Sequence, residues 1–504
     1  MFIRKLKSKN GKTYIQVIEK SSGRYKVLKS FGSSQIDSGI SLLVNKAQKW
    51  ISEYGGNLEL DFTNSNQAVQ TLFDSITQLN RIGPDLLLGN IFDQIGFHAV
   101  DDEIFRQLVF CRIAYPRSKL KTTEYLSRYK QIYWTEDQVY RYLDKLYNKQ
   151  KELVQRISFE HTLSILNNRL SVVFYDVTTL YFEIDEEDEL RKTGFSKEGK
   201  HQNPQIVLGL LVSAHGYPLA YEIFEGNKFE GHTMLPVIDA FKDKYHLPQL
   251  AIIADSGLLS KANIEELQNK GYEFILGARV KSEPDSIKKK ILALRLGNGE
   301  SSIIRKGNLR LIVSYSDDRA KKDRYNRGKG LRKLEKQVKT GRLTKSNINN
   351  RGYNKYLKLE GEIKVTIDRE KLELDRRWDG LKGYITNADL DKDQIIENYQ
   401  HLWLIEKAFR IAKSDLKIRP IYHRLQRRIE AHICISFVAY KVYKELERQL
   451  KLHRSNLSPE KAIEIADSIF EMQIKMPQNG EILNKTLLLN EEQRYLASIF
   501  NFGC

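Results

Sequence analysis

The chain has 504 residues, with 82 Lys+Arg against 64 Asp+Glu and a formal net charge of +18. That length suits about three domains, and an excess of bases over a normal acidic complement points to a polyanionic partner. The longest uncharged apolar runs, such as Ile206 to Ala214, are far too short to span a membrane; the first residues show no apolar h-region, so no secretory signal is expected, and the wide separation of Cys111, Cys434 and Cys504 reads as a reduced protein without a disulfide framework.

Residues 1–36 read as a basic β-hairpin module. Strand-like Ile15-Gln-Val-Ile and Tyr25-Lys-Val-Leu are bounded by the Asn10-Gly11 and Ser22-Gly23 turn signals. Its first thirty residues hold nine bases and one acid, Glu19, which suits a phosphate-facing surface as well as it suits a lysine-protected sheet edge. Residues 37–168 then take a helical period over Ser38 to Tyr54, Pro84 to Gly96, Asp101 to Tyr115, Lys121 to Tyr129 and Glu136 to Asn167, a helical domain expected to bind DNA.

From Leu170 the period changes to two. Leu170 to Asp176, Gln205 to Ser213 and Tyr217 to Phe224 read as strands, with His215-Gly216 as a hairpin turn. A helix from about His232 to Tyr245, a strand Leu250 to Ala254, a helix from Ser260 to Lys270 and a strand Glu273 to Val280 follow. Three antiparallel strands, helix, strand, helix, strand is the ribonuclease H-like order, so the fold class is α/β. In that order the first and fourth strands are neighbours, and their ends carry Asp176 and Asp255. A lone aspartate after a strand is most often a cap or turn residue; topology makes these two a candidate pair.

Residues 281–390 read as a β-rich insertion, with strand-like Ser302 to Arg305, Leu309 to Tyr315 and Gly361 to Ile367. Its tract Arg319 to Lys345 holds twelve bases against Asp323 and Glu335. Such a block is either a solvated segment or a grip on DNA; Tyr325, Leu331, Leu334 and Val338 allow it a short amphipathic helix, and Lys329, Arg332 and Lys333 are its candidate contacts. Residues 391–450 return to the core. One helix from about Lys392 to Leu416 puts Tyr399, Glu406 and Lys413 in register at spacings of seven, with Trp403 and Arg410 on the same stripe. A further helix, Leu425 to Leu450, packs beneath, and residues 451–504 form a helical tail. Asp176, Asp255 and Glu406 are hard oxygen donors of the kind Mg²⁺ or Mn²⁺ takes.

These residues resemble the DDE-type transposases of bacterial insertion sequences, in the subgroup with tyrosine, arginine, glutamate and lysine on the catalytic helix. The signature falls on Tyr399, Leu402, Glu406 and Lys413, with leucine standing in the arginine position. Tyr175-Asp176-Val-Thr178-Thr179, Gly194-Phe-Ser196-Lys197, Gly226-Asn227 with Glu230 and Thr233, Ala254-Asp255-Ser-Gly257, Arg419-Pro-Ile-Tyr422-His423 and Pro116-Arg-Ser-Lys119 complete the likeness over nearly the whole chain. The resemblance implies a cytoplasmic, nucleoid-associated enzyme acting on double-stranded DNA, at the inverted repeats of an element and at a target, as a homodimer. It further implies that Asp176, Asp255 and Glu406 hold two Mg²⁺ ions, replaceable by Mn²⁺, for strand cleavage and transfer, while Lys413, Tyr399 and Arg410 position DNA phosphates. A ribonuclease H-like nuclease or resolvase without strand transfer, and a domesticated DNA-binding protein without catalysis, are the other readings.

Overall fold

The computed structural model describes residues 1–21, 23–54, 65–146, 150–197, 199–247, 250–341, 343, 345–349, 352–360, 364–476 and 480–503. Two compact units make up the chain: Met1–Gln78 with Met472–Lys485, and Leu79–Glu471 with Thr486–Cys504.

In the first unit the expected hairpin is a three-stranded antiparallel sheet, Phe2–Lys7, Thr13–Ser21 and Arg24–Ser34. Strand alternation turns Ile15 and Val17 inward. The helix Asp37–Tyr54 covers them with Ala47, Leu43 and Trp50, so it packs on this sheet. Helical period alone does not reveal a helix's partner.

The second unit is built on a mixed sheet of eight strands. We number them β1 (Val172–Tyr181), β2 (Gln205–Ser213), β3 (Pro218–Glu225), β4 (Ala251–Ala254), β5 (Glu273–Ala278), β6 (Ser301–Lys306), β7 (Leu309–Tyr315) and β8 (Leu381–Thr386). The spatial order is β6-β7-β8-β5-β4-β1-β2-β3. β1, β2 and β3 are antiparallel neighbours, while β1–β4 and β4–β5 run parallel. This is the ribonuclease H-like arrangement, extended at one edge by strands from the insertion. β2 is buried along its whole length, as a continuous apolar run between covered faces should be, and Gly216, at φ +79°, supplies the left-handed turn between β2 and β3.

Two expectations change. β1 does not end at Asp176: the β-branched and aromatic run Val177-Thr-Thr-Leu-Tyr continues the ladder with β2, so Asp176 sits in mid-strand, where the shorter partner β4 stops. Nor is the insertion only β-rich. It carries a 23-residue helix, α1 (Asp317–Lys339), capped by the Ser316 side chain and packed through Leu334 on Tyr356, Leu357, Val365 and Leu372. The strand expected from Gly361 begins at Lys364; residues 361–363 lie outside the described residues.

The single helix expected from Lys392 to Leu416 is two, α2 (Lys392–Gln400) and α3 (Trp403–Ser414), separated at His401-Leu402. Behind them α4 (Gln426–Leu452) is buried around nearly its whole middle, as a helix apolar on every side must be. The tail also holds strands Phe470–Lys475 and Ile482–Leu487. No helix among the described residues is long and apolar enough to cross a membrane.

Candidate active site

Strand alternation separates the two faces of β1. Val173, Tyr175 and Val177 enter one core, while Phe174 and Leu180 enter the core that includes Ile405, Ala408 and Phe409 of α3. Asp176 and Thr178 share the face of Phe174 and Leu180, so the strand presents them towards the Glu406 helix.

Parallel pairing sets Val172 opposite Ala251 and Tyr175 opposite Ala254. The next step of that register puts Asp176 beside Asp255, the residue directly after β4. The two carboxylates are therefore lateral neighbours across a parallel ladder. Asp255 precedes a short helical turn but makes no side-chain cap there; its Oδ1 instead accepts the Tyr399 hydroxyl at 3.0 Å. The cap explanation of Asp255 thus fails; Tyr399, in the last turn of α2, holds it instead. Tyr399 is buried over β5 against Tyr384, and a β-carbon at Gly277 would collide with its hydroxyl.

Cations are threaded between the acids. Lys197 Nζ donates to the Val177 carbonyl at 2.6 Å and lies 3.2 Å from Glu230 and 3.5 Å from Asp176. Lys413 donates to the Thr178 hydroxyl. Lys382, on β8, stands 4.5 Å from the centre of the Tyr399 ring. Burial pushes the Asp176 carboxyl up to about 6; Lys197 and the Val177 N–H oppose the shift, and the charges of Glu230 and Asp255 add to it. Burial also brings Lys413 down to about 8, helped by Lys197 and opposed by Asp176. Lys382 is lowered by burial and by Arg319, against the pull of Asp255 and Glu406.

Glu406 is exposed on the first turn of α3, and its charge is felt by Tyr399 and Lys382, the same groups that feel Asp255. The structure therefore brings Asp176, Asp255, Tyr399 and Lys413 to one end of the sheet with Glu406 beside them. Among the described residues no three His, Cys, Asp or Glu side chains lie close enough to hold one metal ion. The donor chemistry nonetheless suits a divalent cation: a desolvated carboxylate among like charges is stabilised by one. Arg410 is exposed and lines a different cleft, with Lys407, Glu447 and Glu460. Lys329, Arg332 and Lys333 stand on the exposed face of α1, whose first turn, through Arg319 Nε, donates to the Leu381 carbonyl next to Lys382 at 3.2 Å.

Sequence reasoning gave no role to Lys197, Glu230 or Lys382. The first two lie in motifs already singled out; Lys382 carries only the signal of sharing a strand face with Tyr384. Leu402, in the arginine position, is buried in the core.

A family model described as a transposase DDE domain matches residues 168–441. Among solved structures, a piggyBac transposase synaptic complex with hairpin DNA superposes with a TM-score of 0.38 at 10% identity, over 76% of this chain and 79% of that one. A Mos1 transposase paired-end complex with the left transposon end gives 0.16 at 12% identity, over 31% of this chain and 53% of that one. A search of curated proteins finds no match.

Proposed function

Because the chain belongs to the transposase DDE-domain family and is thereby a DNA transposase, we propose that it cleaves DNA at the inverted ends of an insertion sequence and joins the freed ends to a target, with Asp176, Asp255 and Glu406 as the reacting acids. The observation that carries this assignment is the β1–β4 register, which aligns Asp176 with Asp255, together with the Tyr399 hydroxyl that ties the Glu406-bearing segment to Asp255.

Two Mg²⁺ ions, or Mn²⁺ in their place, would be held by these acids and would supply activation of the attacking oxygen and stabilisation of the leaving one. The protein's own groups supply position and charge. Tyr399 orients Asp255, Lys197 holds a compensating charge between Asp176 and Glu230, and Lys413 stands beside Asp176 to grip the phosphate next to the cut. Pairing two element ends calls for two copies of the chain.

The test is a strand-transfer assay with Mg²⁺ and duplexes carrying the repeats that flank the gene. Joined products support the proposal. Cuts without joining would indicate a nuclease or resolvase, and binding with neither a non-catalytic DNA-binding protein.

A further inference from the structure

Two motifs about three hundred residues apart converge at a second place. Pro116-Arg-Ser-Lys119 and Arg419-Pro-Ile-Tyr422-His423 line the same cavity of about 410 Å³, floored by Arg112 and His432. That size is ample for a small ligand.

The cavity holds two buried cations, and among the described residues no carboxylate is paired to either. Arg112 is 7% exposed and Lys119 6%, and among the described residues neither forms an ion pair. Arg112 Nε is buried without a hydrogen-bond partner. Its terminal nitrogens reach only the Leu416 and Lys417 carbonyls at 3.4 and 3.5 Å and His432 Nδ1 at 3.4 Å. His432 Nε2 faces the Ile418 carbonyl at 2.9 Å, so Nδ1 is left to accept. Burying two cations side by side is costly unless an anion completes the set. Burial and the neighbouring cations push Lys119 and His432 well below their usual values, and His423 down to about 3.

We propose that this cavity is a binding site for a backbone phosphate of DNA, with Arg112 and Lys119 as its floor and Arg117 and Tyr422 as its rim. The identification as DNA rests on the transposase reading; the anion site does not. Tyr422 is 74% exposed at the mouth, a face on which a sugar or base can stack and for which a free phosphate has no use. The place also fits. Ile421 bridges Phe182, and Arg419 lies 6.0 Å from the Tyr181 ring, so the cavity lies beyond the end of β1. Five residues of strand separate Tyr181 from Asp176, about 17 Å at 3.3 Å per residue. Along a duplex that is about five base-pair steps of 3.4 Å. DNA lying with one phosphate at the acids would have another within reach of this cavity, and the grip would set the register of the cut.

Full-length protein and the variants Arg117→Gln and Lys119→Gln are titrated with a duplex of about 30 base pairs over about 50–200 mM salt. Lys119→Gln is expected to bind roughly tenfold more weakly and the exposed Arg117→Gln about threefold to tenfold more weakly, with the slope of log K against log salt reduced by about 0.9 for each lost phosphate contact. Arg117 is exposed, so its variant decides the matter if Lys119→Gln does not fold: wild-type affinity and slope in Arg117→Gln overturn the proposal. Inorganic phosphate alone is the second arm. A rise in Tm with phosphate that both variants lose, with duplex binding unchanged, would mark a free-anion site and overturn the DNA assignment. Variants that bind normally in a chain that cleaves would remove the pocket and leave the function. Weakened binding in a chain that never cleaves would do the reverse.

Discussion

At the acid end of the sheet Asp176, Glu230 and Asp255 alternate with Lys197, Lys413 and Lys382, whereas in the pocket beyond β1 the buried Arg112 and Lys119 have no carboxylate paired to them among the described residues. The first region is internally compensated, and a divalent ion would join a set that already holds both signs. The second is charged in one sense and complete only with an external anion. Desolvation is paid at both, but only the pocket advertises the sign of what it lacks. On the proposed reading, chemistry belongs to the first region and a second hold on DNA, remote from the cut, to the pocket, and variants should separate the two in measurement.

The largest expected effect is on chemistry. Asp176→Asn, Asp255→Asn and Glu406→Gln should each lower Mg²⁺-dependent cleavage by about 10³-fold or more, the scale of losing several kcal/mol of charge stabilisation, while duplex affinity and its salt slope stay as in wild type. Removing the metal with EDTA should copy that pattern in the unaltered protein. A carboxylate whose loss leaves cleavage intact has no part in the reaction, and one whose loss weakens binding blurs the division between the two regions.

Next comes the positioning contact. Tyr399→Phe deletes the hydroxyl on Asp255, and Gly277→Ala pushes the same ring away from β5. Each should cut the cleavage rate about tenfold to a hundredfold, the range found when the partner that orients a ligand is lost. The Gly277 β-carbon would press on the Ser256 backbone as well as on the Tyr399 hydroxyl, and the part of its effect that runs through the hydroxyl is shared, so the double variant should lose less than the two singles combined. Additive losses in a single-turnover assay would show that Tyr399 and Gly277 act separately.

Stability should move the opposite way from activity. Asp176 has a folded pKa of about 6, above its usual 3.8, so the native state holds a proton that the unfolded chain releases between those values. Stability from this group is greatest at low pH and declines as pH rises from about 4 to 6. At pH 7 without metal, Asp176→Asn should therefore stabilise the chain, by on the order of 1–3 kcal/mol, seen as a higher urea midpoint. The pocket gives the contrary slope: His423, held down to about 3, loses stability as pH falls below about 6.5, since the unfolded imidazole takes up the proton first. His423→Asn should flatten the decline between pH 7 and 5, and a midpoint falling just as steeply in that variant would exclude His423 as its source.

How much of this was readable from the residues varies by element. β1 to β5 were legible because period-two runs and turn residues mark each strand, and the neighbour relation of Asp176 and Asp255 followed from that order. β8 was not: a six-residue strand about a hundred positions beyond β5 says nothing of its partner, so Lys382 went unseen. The break at His401-Leu402 was hidden because no proline or glycine marks it and spacings of seven look continuous. α1 was underestimated because dense like charge and Gly328 and Gly330 argue against a helix; its stability comes from packing at Leu334 and the Arg327–Asp379 pair. The pocket needed two distant motifs to meet, which only the fold provides.

The smallest effect belongs to α1, and its size tests whether burial is what gives the pocket its strength. Lys329, Arg332 and Lys333 are exposed, so water already solvates them and meeting DNA relieves no desolvation. Replacing any one with glutamine should cost less than tenfold in duplex affinity, with a fall in salt slope of at most about 0.9, the counterion-release term alone. Arg112 and Lys119 have already lost their water on folding, so an anion there recovers interaction as well as releasing counterions. At matched salt, Lys119→Gln should therefore weaken binding more than Lys333→Gln even where the two slopes fall equally. Equal losses of affinity would reduce the pocket to one more patch of a basic surface.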